Sequence, residues 1–219
     1  MPAAVLFDMD GTLIDSEHLW LQGERLVMQE MGGVWSAADQ AHCLGGPIER
    51  AVDYMINKAA SDATQEQILE RLLVVMGELY QNSPLRWCPG ARDLLIEALD
   101  QQIPTALVTA SWRRIIDVVH AAINHDLGRE AFSVTIGGDE VRRSKPNPEP
   151  YATAAQLLGL ATHDCLALED SPPGAASAHA AGCRVVAIPH ITAIASQRHL
   201  ALVDTLVGHN LQSLWMLTV

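Results

Sequence analysis

The chain has 219 residues and a formal net charge of −12, which arises from 26 acidic and only 14 basic side chains. Because Lys and Arg form no cluster, the composition argues against a nucleic acid as partner. Hydrophobic residues make up 49% of the chain, which is enough for a substantial core. No apolar run has the length of a membrane span, so we expect no membrane partner either.

The cysteines and the first residues predict a cytoplasmic protein. Cys43, Cys88, Cys165 and Cys183 lack the Cys-x-x-Cys spacing of metal and redox sites, so we interpret them as reduced packing residues. An apolar strand is predicted within the first residues, which leaves no room for a signal peptide. We further expect a monomer or a weak dimer.

Apolar runs predict strands that alternate with helices along most of the chain. The predicted strands cover residues 4–8, 105–109, 133–137, 165–169 and 184–188, with one further short candidate at 203–207. Helical periodicity covers residues 91–102, 113–124 and 149–159. This alternation predicts an α/β fold, with a Rossmann-like parallel sheet covered by helices on both faces. Ligands of such sheets bind at the carboxyl ends of the strands.

One segment interrupts the alternation. Residues 16–83 contain no convincing strand, only helical periods over residues 19–31, 48–58 and 65–80. We interpret residues 16–83 as a small inserted helical cap domain, and residues 1–15 with 84–219 as the catalytic core. A lid over the site would exclude water and select the substrate. The alternative is that these helices are simply more core.

Two carboxylates follow the first predicted strand, in the string Asp8-Met9-Asp10-Gly11-Thr12. Because residues i and i+2 of a strand point to the same side, Asp8 and Asp10 can converge on one small volume. Carboxylates this close repel each other unless a cation lies between them or one is protonated. Hard oxygen ligands suit Mg²⁺, which completes its shell with water and substrate phosphate. An ordinary Asx-rich turn after a strand is the alternative.

The next core strand ends in Thr109-Ala110-Ser111. The Thr109 hydroxyl and an adjacent backbone N–H, such as that of Ala110, can donate hydrogen bonds to phosphate oxygens. These residues are therefore candidates for binding a phosphoryl group. The alternative is a strand-end threonine that satisfies its own backbone.

Lysine is rare in this chain, since Lys58 and Lys145 are its two examples. Lys145 precedes Pro146, and Pro148 can begin the following helix at its first turn. A compact ammonium group suits pairing with an aspartate and a phosphoryl oxygen better than the planar fork of an arginine does. A solvated surface lysine is the alternative.

A further acidic pair, Glu169-Asp170, ends the strand predicted at residues 165–169. The string continues as Ser-Pro-Pro-Gly and leads into a helix of small residues over 175–181. The N-terminus of that helix would face the carboxyl ends of the strands and favour an anionic ligand there.

These four motifs, in this order, resemble the signature of the haloacid dehalogenase superfamily, most of whose members are Mg²⁺-dependent phosphohydrolases. The Glu-Asp-Ser-x-x-Gly string is similar to the form found in one large subgroup with a helical cap. The resemblance implies that Asp8 attacks phosphorus and forms an aspartyl-phosphate intermediate. It implies that Asp10 protonates the leaving alcohol and later acts as general base on water.

The resemblance also implies the ligands of the metal ion and of the phosphoryl group. Mg²⁺ would be held by Asp8, by Asp10 through its backbone carbonyl and by Asp170. Glu169 would be a second or water-mediated metal ligand. The residues implied to hold the phosphoryl oxygens are Thr109, Ala110 and Lys145. The implied partner is a small-molecule phosphate ester.

The reaction that follows the intermediate can be hydrolysis or isomerisation. β-Phosphoglucomutases, which have a similar pattern, carry a histidine five residues after the aspartate that matches Asp15. The corresponding residue here is Trp20, which cannot transfer protons, and His18 lies on a different face of a helix. This departure favours a phosphatase, and the segment resembles sugar-phosphate phosphatases of the same subgroup. A mutase stays the alternative.

The cap contains one further candidate loop, from Gly45 to Arg50. It resembles the loop that contacts the non-reacting end of the substrate in this subgroup. Gly45 and Gly46 would allow close backbone approach, and Arg50 would pair with an acidic or polyol group. A plain helix start after Pro47 explains the same residues equally well.

Other chemistries fit the residues less well. Haloacid dehalogenases act on carbon without a metal, which the intact Asp10, Glu169 and Asp170 argue against. Phosphonate hydrolysis needs a desolvated cap lysine, and Lys58 has no such surroundings in the sequence. A non-catalytic phosphate-binding protein on the same fold is the alternative from another class.

Overall fold

A computed structural model of the chain describes residues 1–44, 46–189 and 192–219. A six-stranded sheet forms its centre, with the strand order β3-β2-β1-β4-β5-β6 and every neighbouring pair parallel. The strands are β1 Ala4–Phe7, β2 Thr105–Val108, β3 Val134–Ile136, β4 Cys165–Glu169, β5 Arg184–Ala187 and β6 Leu200–Leu202. The α/β fold with a parallel sheet, predicted from the alternating pattern, is confirmed.

Helices cover both faces of this sheet. The α-helices of the described residues are α1 Glu17–Glu30, α2 Ala37–Cys43, α3 Ile48–Ala59, α4 Gln65–Asn82, α5 Ala91–Asp100, α6 Arg113–Leu127, α7 Glu149–Leu157, α8 Pro172–Ala180 and α9 Leu211–Leu217. Short 3₁₀ turns lie at Gly138–Glu140 and Thr162–Asp164. The three helices predicted between residues 91 and 159 are confirmed, with ends that differ by up to three residues.

Burial on both faces explains why the strand sequences are continuously apolar. In β1, Val5 and Phe7 face a hydrophobic cluster that includes α5, α6 and α9. Ala4 and Leu6 face the opposite cluster, which includes Tyr151 of α7 and residues of α8. All four residues of β1 are fully buried, so this strand holds the start of the Asp8 motif in a rigid position.

The last predicted strand, at residues 203–207, is wrong. The structure places β6 three residues earlier, at Leu200–Leu202. Val203 N still donates to the carbonyl of Ala187, over 3.0 Å, but β5 ends at Ala187. Since the neighbouring strand offers no further ladder positions, the chain turns away after Val203.

Residues 16–83, the helical segment, consist of α1 to α4 and connecting turns in the part that the structure describes. Helix α1 packs closely on α4, because a Cβ on Gly23 would lie 2.4 Å from the Met76 sulfur. Helix α4 also contacts the core helix α6, and Arg114 pairs with Glu70 over 2.7 Å. The helical segment therefore lies against the core.

The structure bears on two expectations drawn from composition. None of the helices in the described ranges combines the length and apolar character that crossing a membrane requires. Cys43, Cys88, Cys165 and Cys183 are all free thiols, as predicted from the lack of Cys-x-x-Cys spacing. The cytoplasmic location and the monomer or weak dimer stay predictions.

Candidate active site

The site forms where the carboxyl ends of β1 and β4 lie side by side. Phe7 pairs with Leu168 in the parallel register, and Asp8 N donates to the Leu168 carbonyl over 3.0 Å. The order of the strands along the sheet changes direction between β1 and β4, which is where open α/β sheets bind ligands. Carboxylate oxygens of Asp8, Glu169 and Asp170 consequently lie within 4.8 Å of one another.

Lys145 neutralises part of this cluster. Its Nζ donates to Asp8 Oδ1 over 2.6 Å, to Glu169 Oε1 over 2.6 Å and to the Val108 carbonyl over 2.9 Å. An ammonium group has three donors, so all three are used in this arrangement. Burial lowers the pKa of Lys145, but the charges of Asp8 and Glu169 outweigh that effect and hold the pKa above its usual value. The side chain is therefore a fixed cation.

Glu169 is enclosed by hydrogen-bond donors from several elements. Its Oε1 also accepts from the Tyr151 hydroxyl over 2.6 Å, and its Oε2 accepts from the Ser171 hydroxyl over 3.3 Å. A Cβ on Gly174 would lie only 2.0 Å from Oε2, so the first turn of α8 can approach the carboxylate because residue 174 is glycine. This packing fixes Glu169 beside Lys145.

Asp170 differs from Glu169 because one of its oxygens has no donor. Oδ1 accepts from the Thr12 hydroxyl over 3.2 Å, whereas Oδ2 is buried and has no hydrogen-bond partner in the described part of the chain. Gly11, with φ of +83°, lies directly beside it, and a Cβ there would lie 2.4 Å from Oδ2. A buried carboxylate oxygen without a donor costs free energy unless a cation binds it.

The pKa values of the acidic residues agree with a missing positive charge. Burial, followed by repulsion from Glu169, raises the pKa of Asp8 to about 7 even though Lys145 lowers it. Burial and the charges of Asp8 and Glu169 raise the pKa of Asp170 well above its usual value. A divalent cation between Asp8 and Asp170 would reverse these shifts, because it favours the ionised carboxylates. The donor set is all oxygen and therefore fits Mg²⁺.

Asp10 lies on the other side of the site, and its carboxylate accepts four side-chain hydrogen bonds. Oδ1 accepts from the Ser16 hydroxyl over 2.6 Å, the Trp20 indole over 3.0 Å and the Tyr80 hydroxyl over 2.5 Å. Oδ2 accepts from the Ser111 hydroxyl over 2.7 Å. The carboxylate of Asp10 is thus held by donors, unlike that of Asp170.

The phosphate-binding candidates after β2 lie in the same wall. Thr109 is buried, and its Oγ1 accepts from the Ser111 backbone N–H over 3.0 Å. Thr109, Ala110 and Ser111 line the same cavity as Asp8, Asp10, Lys145 and Asp170. The turn after β2 therefore offers hydroxyl groups next to the carboxylates.

A cavity of about 740 Å³, measured with the open solvent at its mouth, connects the core to the helical segment. The helical segment contributes part of the lining, including Glu17, Trp20, Glu24, Gln40, Leu44 and Ile48. The catalytic candidates and residues of the helical segment thus line one pocket.

Comparison with known proteins decides the family. The model of the haloacid dehalogenase-like hydrolases matches residues 5–188. The chain is a haloacid dehalogenase-like hydrolase. The family, and the hydrolytic enzyme expected from the four motifs, are thereby confirmed.

Relatives of this hydrolase cover nearly its whole length. It is 34% identical over 192 residues to protein CbbY of Rhodobacter capsulatus, with 85% of each chain covered. It is 32% identical over 220 residues to hexitol phosphatase A of Escherichia coli, with 95% of this chain and 91% of that protein covered. A variant of CbbY from Rhodobacter sphaeroides, crystallised with xylulose-(1,5)bisphosphate, has a TM-score of 0.87 at 24% identity, covering 98% of this chain and 99% of that one. This last likeness shows the fold.

One predicted site residue of the hydrolase lies apart from the others. Arg50 is exposed, donates to the carbonyl of His42 over 3.1 Å and does not belong to the cavity lining. A Cβ on Gly46 would lie 2.8 Å from its guanidinium, so Arg50 packs on the loop. Gly46 does line the cavity, whereas Gly45 lies outside the described residues.

Several residues of the site were not found by reasoning from the sequence. Ser16, Tyr80 and Ser111 contact Asp10, but nothing in the local sequence relates Tyr80 to a residue 70 positions earlier. Glu17 and Glu24 do have a signal. They lie three residues before and four residues after Trp20, a position that the sequence already related to the site. These spacings place all three side chains on one face of α1.

Proposed function

We propose that this hydrolase is a Mg²⁺-dependent phosphatase of a small phosphate monoester, a sugar phosphate, acting through an aspartyl-phosphate intermediate on Asp8. One observation carries the proposal: the buried Asp8 carboxylate is held by Lys145 in a pocket, beside an Asp170 oxygen that has no donor among the described residues. Such a site can neutralise a phosphoryl group and present a nucleophile to it. The relative named hexitol phosphatase A agrees with this substrate class.

Asp8 and Lys145 would carry out the first half of the reaction. Lys145 fixes one oxygen of the Asp8 carboxylate and favours its ionised form, which is the nucleophile. Attack forms the bond between an Asp8 oxygen and phosphorus while the bond from phosphorus to the substrate oxygen breaks. Thr109, and the backbone N–H of Ala110, are proposed to donate to the phosphoryl oxygens, so that the developing charge is stabilised.

Asp10 would supply and recover the proton. As general acid it protonates the leaving alcohol, and the resulting carboxylate is stabilised by the Tyr80 and Trp20 donors. As general base it then takes a proton from water, which attacks phosphorus, releases inorganic phosphate and regenerates Asp8. The hydroxyl donors Ser16 and Ser111 hold the carboxylate in one place through both halves.

The proposed metal ligands are Asp8, Asp170 and the backbone carbonyl of Asp10. Mg²⁺ held by these ligands would supply positive charge that offsets the repulsion of the nucleophile and the phosphate. Glu169 is placed to act through Lys145, since Lys145, Tyr151 and Ser171 already occupy its oxygens. Glu169 is therefore proposed as a positioning residue or a water-mediated ligand.

The helical segment, residues 16–83, is proposed to act as the cap. It lines the pocket opposite Asp8 and would exclude water from the reacting phosphate. The same segment supports hydrolysis over isomerisation, because the Trp20 indole donates to Asp10 where a mutase carries a histidine able to transfer protons. A β-phosphoglucomutase activity is thus the less supported alternative.

Phosphate release from p-nitrophenyl phosphate and from a panel of sugar phosphates tests the proposal. The wild-type protein is assayed with Mg²⁺ and with EDTA, beside Asp8→Asn. We expect release that requires Mg²⁺ and disappears in Asp8→Asn. Asp15→Asn is the matched control, since Asp15 is half-exposed and lies outside the proposed machinery.

Absence of release on every ester would contradict the phosphatase. Conversion of β-glucose 1-phosphate without release would then indicate the mutase. Metal binding without any turnover would indicate a phosphate-binding protein. Release that persists in Asp8→Asn would contradict the role of Asp8 as nucleophile but not the phosphatase activity itself.

A further inference from the structure

Helix α1 carries a buried carboxyl group into the cap half of the pocket. Glu24 is 4% exposed, and the Trp35 indole donates to its Oε2 over 2.7 Å. No donor in the described part of the chain bonds to Oε1, and Glu24 lines the cavity. A buried carboxyl group with a free acceptor facing a pocket is a group that a ligand can satisfy.

The neighbours of Glu24 in the pocket also offer acceptors. Gln40 donates through Nε2 to the Glu17 carbonyl over 2.7 Å, and no donor within the described ranges bonds to its side-chain oxygen. Trp20, Leu44 and Ile48 provide apolar wall between these polar groups. This combination of acceptors and apolar surface suits the hydroxyl groups and C–H faces of a polyol.

The ionisable side chains in this half of the pocket are acidic. Among the described residues of the cap that line the cavity, Glu17 and Glu24 are acidic and none is Lys, Arg or His. Lys145, which also lines the cavity, is engaged by Asp8 and Glu169. A second phosphate or a carboxylate on the substrate would therefore lie next to acidic side chains. Arg50, which packs on Gly46, is exposed, bonds to the His42 carbonyl and lies outside the lining.

We propose that Glu24 determines specificity by accepting a hydrogen bond from a substrate hydroxyl and by excluding substrates with a second acidic group. The inference rests on the proposed phosphatase function and narrows its substrates to monophosphates of sugars or sugar alcohols. The substrate of this hydrolase would then differ from the bisphosphate with which the structural relative was crystallised, although the two folds are alike.

Three substrates that differ at the end remote from the scissile phosphate test this role. Sorbitol 6-phosphate has hydroxyl groups there, fructose 1,6-bisphosphate has a second phosphate and phosphoglycolate has a carboxylate. p-Nitrophenyl phosphate reports whether the chemistry operates at all. We expect the wild-type protein to prefer sorbitol 6-phosphate over both others by at least roughly tenfold in kcat/KM, the effect of one charge-assisted hydrogen bond.

Glu24→Gln removes the ionisable carboxyl group while keeping the shape and an acceptor for Trp35. We expect its preference for sorbitol 6-phosphate over phosphoglycolate to fall roughly tenfold, mainly through KM, because the contact is remote from phosphorus. Glu30→Gln is the matched control, since Glu30 lies on the same helix but pairs with Arg71 at the surface. Trp35→Phe, which frees Glu24 from its donor, is a second variant expected to shift the same ratio.

The outcomes separate this inference from the proposed function. No hydrolysis of any of the four esters would remove the phosphatase proposal and this inference together. Hydrolysis with equal or greater kcat/KM on the bisphosphate or on phosphoglycolate would overturn this inference alone. An unchanged substrate ratio in both Glu24→Gln and Trp35→Phe would also overturn it. If Glu24→Gln does not fold, the wild-type ratios and Trp35→Phe decide.

Discussion

The hydroxyl of Tyr80 lies 2.5 Å from Asp10 Oδ1 and joins α4, the last helix of residues 16–83, to the turn after the first strand. Burial and the charge of Asp10 raise the pKa of Tyr80 well above its usual value, so the phenol stays a donor. Trp20 and Ser16 donate to the same oxygen. The proposed general acid and base is therefore held mainly by residues of the helical segment, which couples the position of that segment to the chemistry.

Tyr80→Phe is expected to lower kcat by roughly tenfold with little change in KM, because one donor to the Asp10 carboxylate is lost. The substitution keeps the ring that packs between α4 and the core. Steady-state kinetics on p-nitrophenyl phosphate measure the effect. Tyr54→Phe is the control, since Tyr54 donates to Asp39 elsewhere in the helical segment. Equal kcat values for the two variants would show that the contact to Asp10 is only structural.

Lys145→Met is expected to abolish activity and to lower the free energy of unfolding by about 3–5 kcal/mol, because two buried carboxylates lose their cation. Lys145 is 1% exposed between Asp8 and Glu169. Denaturant unfolding at neutral pH measures the loss. Lys58→Met is the comparison, and its cost is expected to be smaller because Lys58 is partly exposed and Asp39 retains other donors. Equal losses for both variants would contradict the buried charge cluster.

The arrangement of the core was predictable because parallel sheets follow strong rules. Apolar runs that end in Asp8, Thr109 and Glu169 predicted strand ends, and carboxyl ends of parallel strands share one edge of the sheet. Asp8 and Thr109 line the same cavity, and Glu169 shares the partner Lys145 with Asp8. Local sequence was sufficient here, since each residue ends its strand or follows it directly and needs no knowledge of distant contacts.

The surroundings of Asp10 could not be predicted in the same way. Its donors come from positions 6, 10, 70 and 101 residues away, so they depend on how the helical segment packs. Helix α2 was missed because it spans seven residues, too few for a periodic pattern, and begins with a capping box of Ser36 and Asp39. Arg50 was predicted from a loop resemblance, but the exposed side chain bonds to the backbone of His42.

The metal-free protein is expected to lose stability as the pH rises from about 4 to about 7. The pKa of Asp8 is raised to about 7 in the folded protein, whereas an unfolded aspartate has a pKa of about 3.9. The folded state binds more protons in this window, so the free energy of unfolding falls with rising pH. The pKa of Glu24, raised by burial to about 7, acts in the same direction.

Thermal unfolding with Mg²⁺ and with EDTA tests this dependence. Because Mg²⁺ favours ionised carboxylates, the increase in Tm on adding Mg²⁺ is expected to be larger at about pH 8 than at about pH 5.5. Added NaCl at equal ionic strength is the control. An increase that is the same at both pH values would contradict the raised pKa of Asp8 as its origin.

Asp170→Asn is expected to weaken Mg²⁺ binding while it raises the stability of the metal-free protein. The variant should bind Mg²⁺ at least roughly tenfold more weakly, because it loses the oxygen charge that no donor satisfies. In EDTA at about pH 8 its free energy of unfolding should rise by about 1–3 kcal/mol, since a buried carboxylate beside Asp8 and Glu169 is replaced by a neutral amide.

The two effects are measured together by thermal unfolding of the variant with and without Mg²⁺. Asp164→Asn is the control, because Asp164 precedes the same strand but is half-exposed beside His163. A variant that is less stable than the wild-type protein in EDTA and still gains Tm with Mg²⁺ would contradict the assignment. It would mean that Asp170 is held by protein donors in solution, and that the cation binds at another group of oxygens.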